Sequence, residues 1–138
     1  MLLIDKNAII YGAAGSLGSA IAKGFAKEGA RLFLAGRTLA PLEEIAKEII
    51  ANGGMAEIAA VDALDEKAVK VYVDTIMQKH GHVDISFNAM ATDDFMRPLQ
   101  SIMQSQFITA SAAAKHMIKQ SSGVYFFLLL HPPASLTR

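Results

Sequence analysis

Short apolar runs alternate with segments of helical periodicity along this chain of 138 residues. The apolar runs occupy residues 8–11, 31–35, 55–61, 82–88 and 124–130. Runs of this length are typical of buried strands, and the three- and four-residue apolar spacing found between them is typical of helices. The alternation predicts an α/β fold in which right-handed crossovers join parallel strands.

About five such strands predict a doubly wound, Rossmann-like parallel sheet in the order 3-2-1-4-5, covered on both faces as a three-layer α/β/α structure. This order places a crevice at the carboxyl ends of strands 1 and 4. Because a chain of this length suits one core, we expect residues 1–138 to form a single domain. The last predicted helix, residues 94–120, is expected to bury Leu99, Ile102, Met103, Phe107, Ala110, Ala114 and Met117.

The composition argues against several classes of partner. Basic and acidic residues each number 13, and the sequence pI is about 6.9, so there is no basic footprint for nucleic acid or an anionic membrane surface. The longest apolar run, residues 124–130, is far shorter than the ~20 residues that span a bilayer. The absence of cysteine excludes thiolate nucleophiles and cysteine zinc sites. We therefore expect a cytoplasmic protein that binds neither nucleic acid nor membranes.

The segment YGAAGSLGSAIAKGF, residues 11–25, joins the first predicted strand to the first predicted helix. Its glycines Gly12, Gly15 and Gly18 allow a sharp turn and a close approach of the backbone to a ligand. Free N–H groups at the start of the helix attract an anion. A tight turn with incidental glycines is the simpler interpretation, but the place of the loop in the first βα unit favours a dinucleotide phosphate site.

This loop resembles the T-G-x-x-x-G-x-G motif of the short-chain dehydrogenase/reductase family, and the resemblance covers essentially the whole chain. Gly12 and Gly18 match the first and last glycines of the motif. Ser16 stands where the middle glycine is usual, and Tyr11 replaces the threonine. The resemblance implies a cofactor-binding loop made of Gly12, Gly15, Ser16, Leu17 and Gly18.

The end of the second predicted strand bears on the choice of cofactor. Members of the family that prefer NAD carry an acidic residue there, whereas this chain has Gly36, followed by Arg37 and Thr38. No carboxylate would repel a 2′-phosphate, and a guanidinium binds one in a bidentate manner. The resemblance therefore favours NADP(H) over NAD(H), with cofactor contacts at Arg37 and Thr38. The alternative is a solvated arginine at a helix start.

Two further segments resemble motifs of the family. Asp62 and Ala63 follow the third predicted strand, where the resemblance implies a carboxylate that accepts from the adenine amino group and a backbone N–H that contacts the ring. Asp62 also suits the N-cap of a helix that starts near residue 65. Asn88 and Ala89 stand where the family usually has N-N-A-G, and Asn88 is implied to close the loop behind the adenosine ribose.

The catalytic residues of the family have no counterpart in this sequence. Members donate a proton from a tyrosine placed four residues before a lysine, and none of Tyr11, Tyr72 and Tyr125 has a lysine at that position. His80 and His82 flank a predicted loop and suit solvation better than a metal site, because no third ligand accompanies them. We therefore predict no catalytic and no metal-binding residue, and we expect the truncated front half of such an enzyme.

Without the remaining strands and helices of a longer enzyme, strand 5 and the long helix would expose apolar surface. We therefore expect a homo-oligomer, a dimer or tetramer, formed through strand 5, the helix at 94–120, or both. Three functions stay open. The first is an NADP(H)-binding module that is catalytically incomplete alone. The second is an active NADP(H)-dependent oxidoreductase that acts on a small carbonyl or alcohol substrate. The third is a non-catalytic structural or interaction protein.

Overall fold

The computed structural model describes residues 1–90 and 99–127. The strands are β1 Asn7–Tyr11, β2 Arg31–Gly36, β3 Met55–Ala60, β4 Ile85–Asn88 and β5 Val124–Phe127. The helices are α1 Ser16–Lys27, α2 Leu39–Ala51, α3 Glu66–His80 and α4 Leu99–Gln120. Strands and helices alternate as the sequence predicts, and residues 128–130 of the predicted fifth strand lie outside the described residues.

The five strands pair in parallel in the order β3-β2-β1-β4-β5. The predicted doubly wound, Rossmann-like sheet is therefore confirmed. The register aligns Tyr11 at the end of β1 with Ala35 on β2 and with Asn88 on β4. As a result, the segments that follow these strands emerge side by side at one edge of the sheet.

Two apolar clusters, one on each face of the sheet, account for the three layers. Ala8 and Ile10 of β1 belong to the cluster with α1 and α2, whereas Ile9 and Tyr11 belong to the cluster with α3 and α4. Every residue of β1 is buried, because helices cover both faces of this central strand. None of the described helices combines the length and the hydropathy that a membrane span requires.

The orientation of α4 differs from the prediction. Met103 and Phe107, which the sequence predicts to be inward, are 59% and 73% exposed, and Ala114 is exposed as well. The inward side instead carries Ser105 and Thr109, both fully buried, together with Ile108. Of the predicted set, Met117 does pack against the core on this side. Residues 94–98, together with the burial predicted for side chains 99 and 102, lie outside what the structure describes.

Hydrogen bonding accounts for this orientation. Asn88, at the end of β4, is fully buried, and its amide nitrogen donates to Ser105 Oγ at 3.3 Å and to Thr109 Oγ1 at 3.4 Å. A buried amide without partners costs about 1–3 kcal/mol, which favours turning the two hydroxyls inward. The α4 apolar stripe consequently faces outward and consists of Met103, Phe107, Ala114 and Ile118.

Candidate functional site

Gly12 turns the chain from β1 toward α1 with a left-handed φ of +70°. Its N–H donates to the Ala35 carbonyl at 3.0 Å. A Cβ at Gly12 would lie 2.8 Å from the carbonyl carbon and oxygen of Ala89 and from the backbone nitrogen of Met90, which no real side chain tolerates. Glycine is therefore required at this position by the backbone conformation and by the packing of the two loops.

Gly18 brings α1 against the same loop. A Cβ there would overlap the Gly12 carbonyl oxygen and lie 3.0 Å from Ala13 Cα. Gly15 differs, because it precedes α1 with φ −72° and ψ 164°, and a Cβ there would meet only the Gly12 carbonyl oxygen, at 3.5 Å. Positions 12 and 18 therefore need glycine for shape, whereas position 15 has room for a side chain.

The first turn of α1 leaves three amides unsatisfied. The first hydrogen bond of the helix runs from Ser19 N–H to the Gly15 carbonyl at 2.9 Å, and neither a capping side chain nor an acidic residue is present in the first turn. Within the described part of the chain, the N–H groups of Ser16, Leu17 and Gly18 have no acceptor. Because Ser16 and Leu17 are exposed, this helix start is open to an anion.

Asn88 shapes the loop that faces these glycines. Its Oδ1 accepts from the Met90 N–H at 2.9 Å, and the Ala89 N–H donates to the Tyr11 carbonyl at 2.9 Å. Ala89 is 5% exposed, and its backbone forms the surface against which Gly12 packs. Asn88 therefore acts on the site by holding the loop after β4 next to the loop after β1.

Sequence reasoning missed the residues on α4 that support Asn88. Ser105 and Thr109 are four residues apart and therefore lie on one side of the helix, from which both contact the Asn88 amide. The four-residue spacing of these two hydroxyl residues was the available signal. A buried strand-end asparagine needs such partners.

Arg37 and Thr38 follow β2 at the same edge of the sheet, and both are exposed. Thr38 is the N-cap of α2, but its hydroxyl makes no capping bond. Among the described residues, the Arg37 guanidinium has no hydrogen-bonding or ion-pair partner. A Cβ at Gly36 would lie 3.6 Å from the Leu42 methyl groups, which is an ordinary contact distance. Position 36 therefore has room for a larger residue.

Asp62 follows β3, half-buried, and its Oδ1 accepts from the Leu64 N–H at 2.9 Å. The N-cap of α3 is Asp65, whose Oδ1 accepts from the Ala68 N–H at 3.1 Å. The capping role considered for Asp62 is therefore filled by Asp65. Ala63 is buried next to Asp62, and the second carboxylate oxygen of Asp62 has no partner among the described residues.

The histidines considered as metal ligands lie with different partners. His80 Nε2 is 3.2 Å from Glu57 Oε1, and His82 Nδ1 is 2.7 Å from Asp84 Oδ2. Residues 1–90 and 99–127 contain no group of three or more side chains that could hold a metal ion.

All the predicted site residues therefore lie at the carboxyl edge of the sheet. Gly12, Arg37 and Asp62 follow β1, β2 and β3, and Asn88 is the last residue of β4, the other neighbour of β1. The edge offers free amides for a diphosphate, a guanidinium for a further phosphate, and a carboxylate oxygen for an amino group. These groups fit a nicotinamide dinucleotide.

Comparison with known proteins gives the same class. The family model of short chain dehydrogenases matches residues 6–126. The 7alpha-hydroxysteroid dehydrogenase of Clostridium sardiniense is 33% identical over 139 residues, covering 88% of this chain and 52% of that protein. An uncharacterized oxidoreductase of Bacillus subtilis (strain 168) is 41% identical over 91 residues, covering 66% of this chain and 33% of that protein. A metagenomic short-chain oxidoreductase, solved in complex with NADP, has a TM-score of 0.83 at 27% identity and covers 92% of this chain and 63% of its own.

The chain belongs to the short-chain dehydrogenase family, and the resemblance seen in the sequence is confirmed. It spans about half the length of the hydroxysteroid dehydrogenase, 52%, and a third of the Bacillus protein, 33%.

Replacing Gly18 by Ala tests the shape of the glycine loop. The new Cβ would overlap the Gly12 carbonyl, so we expect unfolding in urea to show a loss of about 1–3 kcal/mol. Gly15→Ala is the matched control, because its Cβ has room and its φ suits any residue, and we expect a change within about 0.5 kcal/mol. Equal losses in the two variants would contradict the loop geometry.

Proposed function

We propose that this chain binds NADP(H) across the carboxyl edge of its sheet. The observation that carries the proposal is the set of three unpartnered amides at the start of α1, those of Ser16, Leu17 and Gly18. A diphosphate supplies the acceptors that these amides lack, and the dipole of the helix favours its negative charge. Gly12 and Gly18 leave the backbone free of side-chain atoms where the phosphates would approach.

Arg37 supports a preference for the 2′-phosphorylated cofactor. Its exposed guanidinium has no partner among the described residues, and Gly36 before it carries no charge. A bidentate arginine–phosphate contact would therefore form without first breaking an ion pair. The relative solved with NADP supports the class of cofactor. The Thr38 hydroxyl, which makes no capping bond, is a second group available to that phosphate.

The adenosine would lie between the ends of β3 and β4. The free carboxylate oxygen of Asp62 is an acceptor for the adenine amino group, and the backbone of Ala63 lies next to it. On the other side, Asn88 and Ala89 hold the loop after β4 against Gly12. We propose that this loop forms the wall behind the adenosine ribose.

We further propose that the chain is catalytically incomplete on its own. Hydride transfer to a carbonyl needs a proton donor beside the substrate. Tyr11 is 1% exposed, and its ring contacts that of Tyr72 edge-on at 6.4 Å. Burial, followed by the negative charge of Glu57, raises the pKa of Tyr72, so this phenol keeps its proton. Oxidation of NADPH with a ketone or aldehyde by the purified chain would favour the active oxidoreductase instead.

The α4 apolar stripe supports self-association. Phe107 and Ile118 are 73% and 78% exposed, on a helix of 22 residues that is ~33 Å long. Apolar residues that recur along one side of an exposed helix form a seam for a second helix. We propose a homo-oligomer in which the stripe packs against its equivalent across a twofold axis.

Calorimetric titration with NADPH and NADH tests the cofactor proposal. We expect Arg37→Ala to weaken NADPH binding about tenfold or more, since a hydrogen bond to a charged group contributes about 1.5–3 kcal/mol, and to leave NADH binding unchanged. Gly36→Asp should weaken NADPH binding by repulsion and strengthen NADH binding by accepting from the ribose hydroxyls. Lys47→Ala, an exposed cation on the opposite end of α2, is the control and should change neither. Equal affinity for the two cofactors in the unaltered chain would refute the preference for NADPH. Binding of neither cofactor would refute the cofactor proposal and favour a non-catalytic structural or interaction protein.

Size-exclusion chromatography with light scattering tests the oligomer. We expect the unaltered chain to elute as a dimer or tetramer at micromolar concentration and the Phe107→Ser, Ile118→Ser double variant to elute as a monomer. Ile50→Ser on α2, where the isoleucine is also exposed at 56%, is the matched control and should keep the oligomer. A monomeric unaltered chain, or an oligomer that survives the double variant, would contradict the proposal.

A further inference from the structure

A groove of about 510 Å³ lies along β3, the edge strand of the sheet, between this strand and α3. Its volume falls in the range of small-molecule sites. One end lies at Lys67 in the first turn of α3 and the other at Lys79 in the last turn. The groove runs along the outer side of β3 and ends at Val61, next to Asp62.

Most of the groove surface is apolar. Phe33 lines it from β2, Ala59 lines it from β3, and Val71 and Ile76 line it from α3. Val71 is 64% exposed, although it belongs to the same wall as the buried Ile76. This surface suits the ring or hydrocarbon body of a small molecule, which would gain from leaving water.

The ring of Tyr72 also lines the groove. Its hydroxyl is shielded from water and has no hydrogen-bond partner in the described part of the chain, although buried hydroxyls usually have one. Burial and the charge of Glu57 raise the pKa of Tyr72, so the phenol is uncharged. A molecule in the groove would therefore meet the uncharged aromatic ring and not the hydroxyl.

The charges at the groove favour an anion. Glu57 Oε1 is 3.2 Å from His80 Nε2, and His80 Nδ1 accepts from the Arg31 guanidinium at 2.8 Å. The Glu57 carboxylate is therefore already paired with His80, and His80 is itself hydrogen-bonded to the positively charged Arg31. Lys67 and Lys79 have no ion-pair partner among the described residues. Of the two, Lys79 is nearer to Arg31 and His80, which places the greater positive charge at that end.

We propose that the groove between β3 and α3 binds a small amphipathic carboxylate. Its apolar body lies on Ala59, Val71 and the ring of Tyr72, and its carboxylate pairs with Lys79. Lys79 lies ~18 Å along α3 from Lys67, at 1.5 Å per residue, and the proposed adenosine site at Asp62 is at the Lys67 end. The Lys67 end of the groove, which Val61 also lines, therefore adjoins the adenosine site, whereas the Lys79 end, where the carboxylate binds, lies apart from it.

Fluorescence anisotropy of 2-naphthoate tests this site. Because the chain has no tryptophan, tryptophan fluorescence does not overlap the naphthalene emission. We expect submillimolar binding of 2-naphthoate and about tenfold weaker binding of 2-naphthylmethylammonium, which has the same rings and the opposite charge. Equal or tighter binding of the ammonium compound would overturn the proposal. A saturating concentration of NADP⁺ should leave the 2-naphthoate affinity unchanged. Displacement by NADP⁺ would assign the probe to the dinucleotide site and would also overturn the proposal.

Variants locate the probe in the groove. Lys79→Gln should weaken 2-naphthoate binding about threefold to fivefold, as expected for an exposed ion pair, whereas Lys70→Gln, an exposed lysine of α3 outside the groove, should not. Thr75→Trp places a large ring in the groove from an exposed position and should abolish binding. Tyr72→Phe should leave binding unchanged and raise Tm, because it keeps the ring and removes an unpaired buried hydroxyl. Full binding by Thr75→Trp, or loss of binding in the α4 variant Ile118→Ser, would place the probe elsewhere and refute the site.

Discussion

The close contact between Gly12 and the backbone of Ala89 is the constraint on which the candidate site depends. Any Cβ at position 12 would enter the Ala89 peptide group at 2.8 Å. Because glycine allows that contact, the loop after β1 lies directly against the loop after β4, and α1 can begin immediately behind it. The unpartnered amides of α1 therefore face the crevice between the two strands, which is where a parallel sheet of this order binds a nucleotide.

Asn88 extends this constraint to the rest of the fold. One of its side-chain atoms holds the loop after β4, and the other contacts two hydroxyls on α4. The helix consequently presents Ser105 and Thr109 inward together with Ile108, and Met103, Phe107 and Ile118 outward. A single buried amide thus links the shape of the nucleotide crevice to the surface proposed for self-association.

Most of the fold and the location of the site could be predicted from the sequence, because both depend on local pattern. The buried strands correspond to apolar runs in the sequence, and Gly12 and Gly18 lie at the junction of a strand and a helix. The orientation of α4 could not be predicted in this way. Apolar residues occur around much of that helix, so periodicity does not decide which side faces the sheet, and the deciding partner, Asn88, lies on another element. The choice of Asp65 rather than Asp62 as the cap of α3 depends on the local backbone at the helix start. The unpaired Tyr72 hydroxyl becomes visible only when β3 and α3 are seen together.

The free amides at the start of α1 are proposed to receive the phosphates of a dinucleotide. Titration of the ¹⁵N-labelled chain with NADP⁺, followed by amide chemical shifts, tests this proposal. We expect the largest saturable shifts at the backbone amides of Ser16, Leu17 and Gly18. Saturable binding that leaves these three amides unshifted, or an absence of shifts at millimolar NADP⁺, would contradict it.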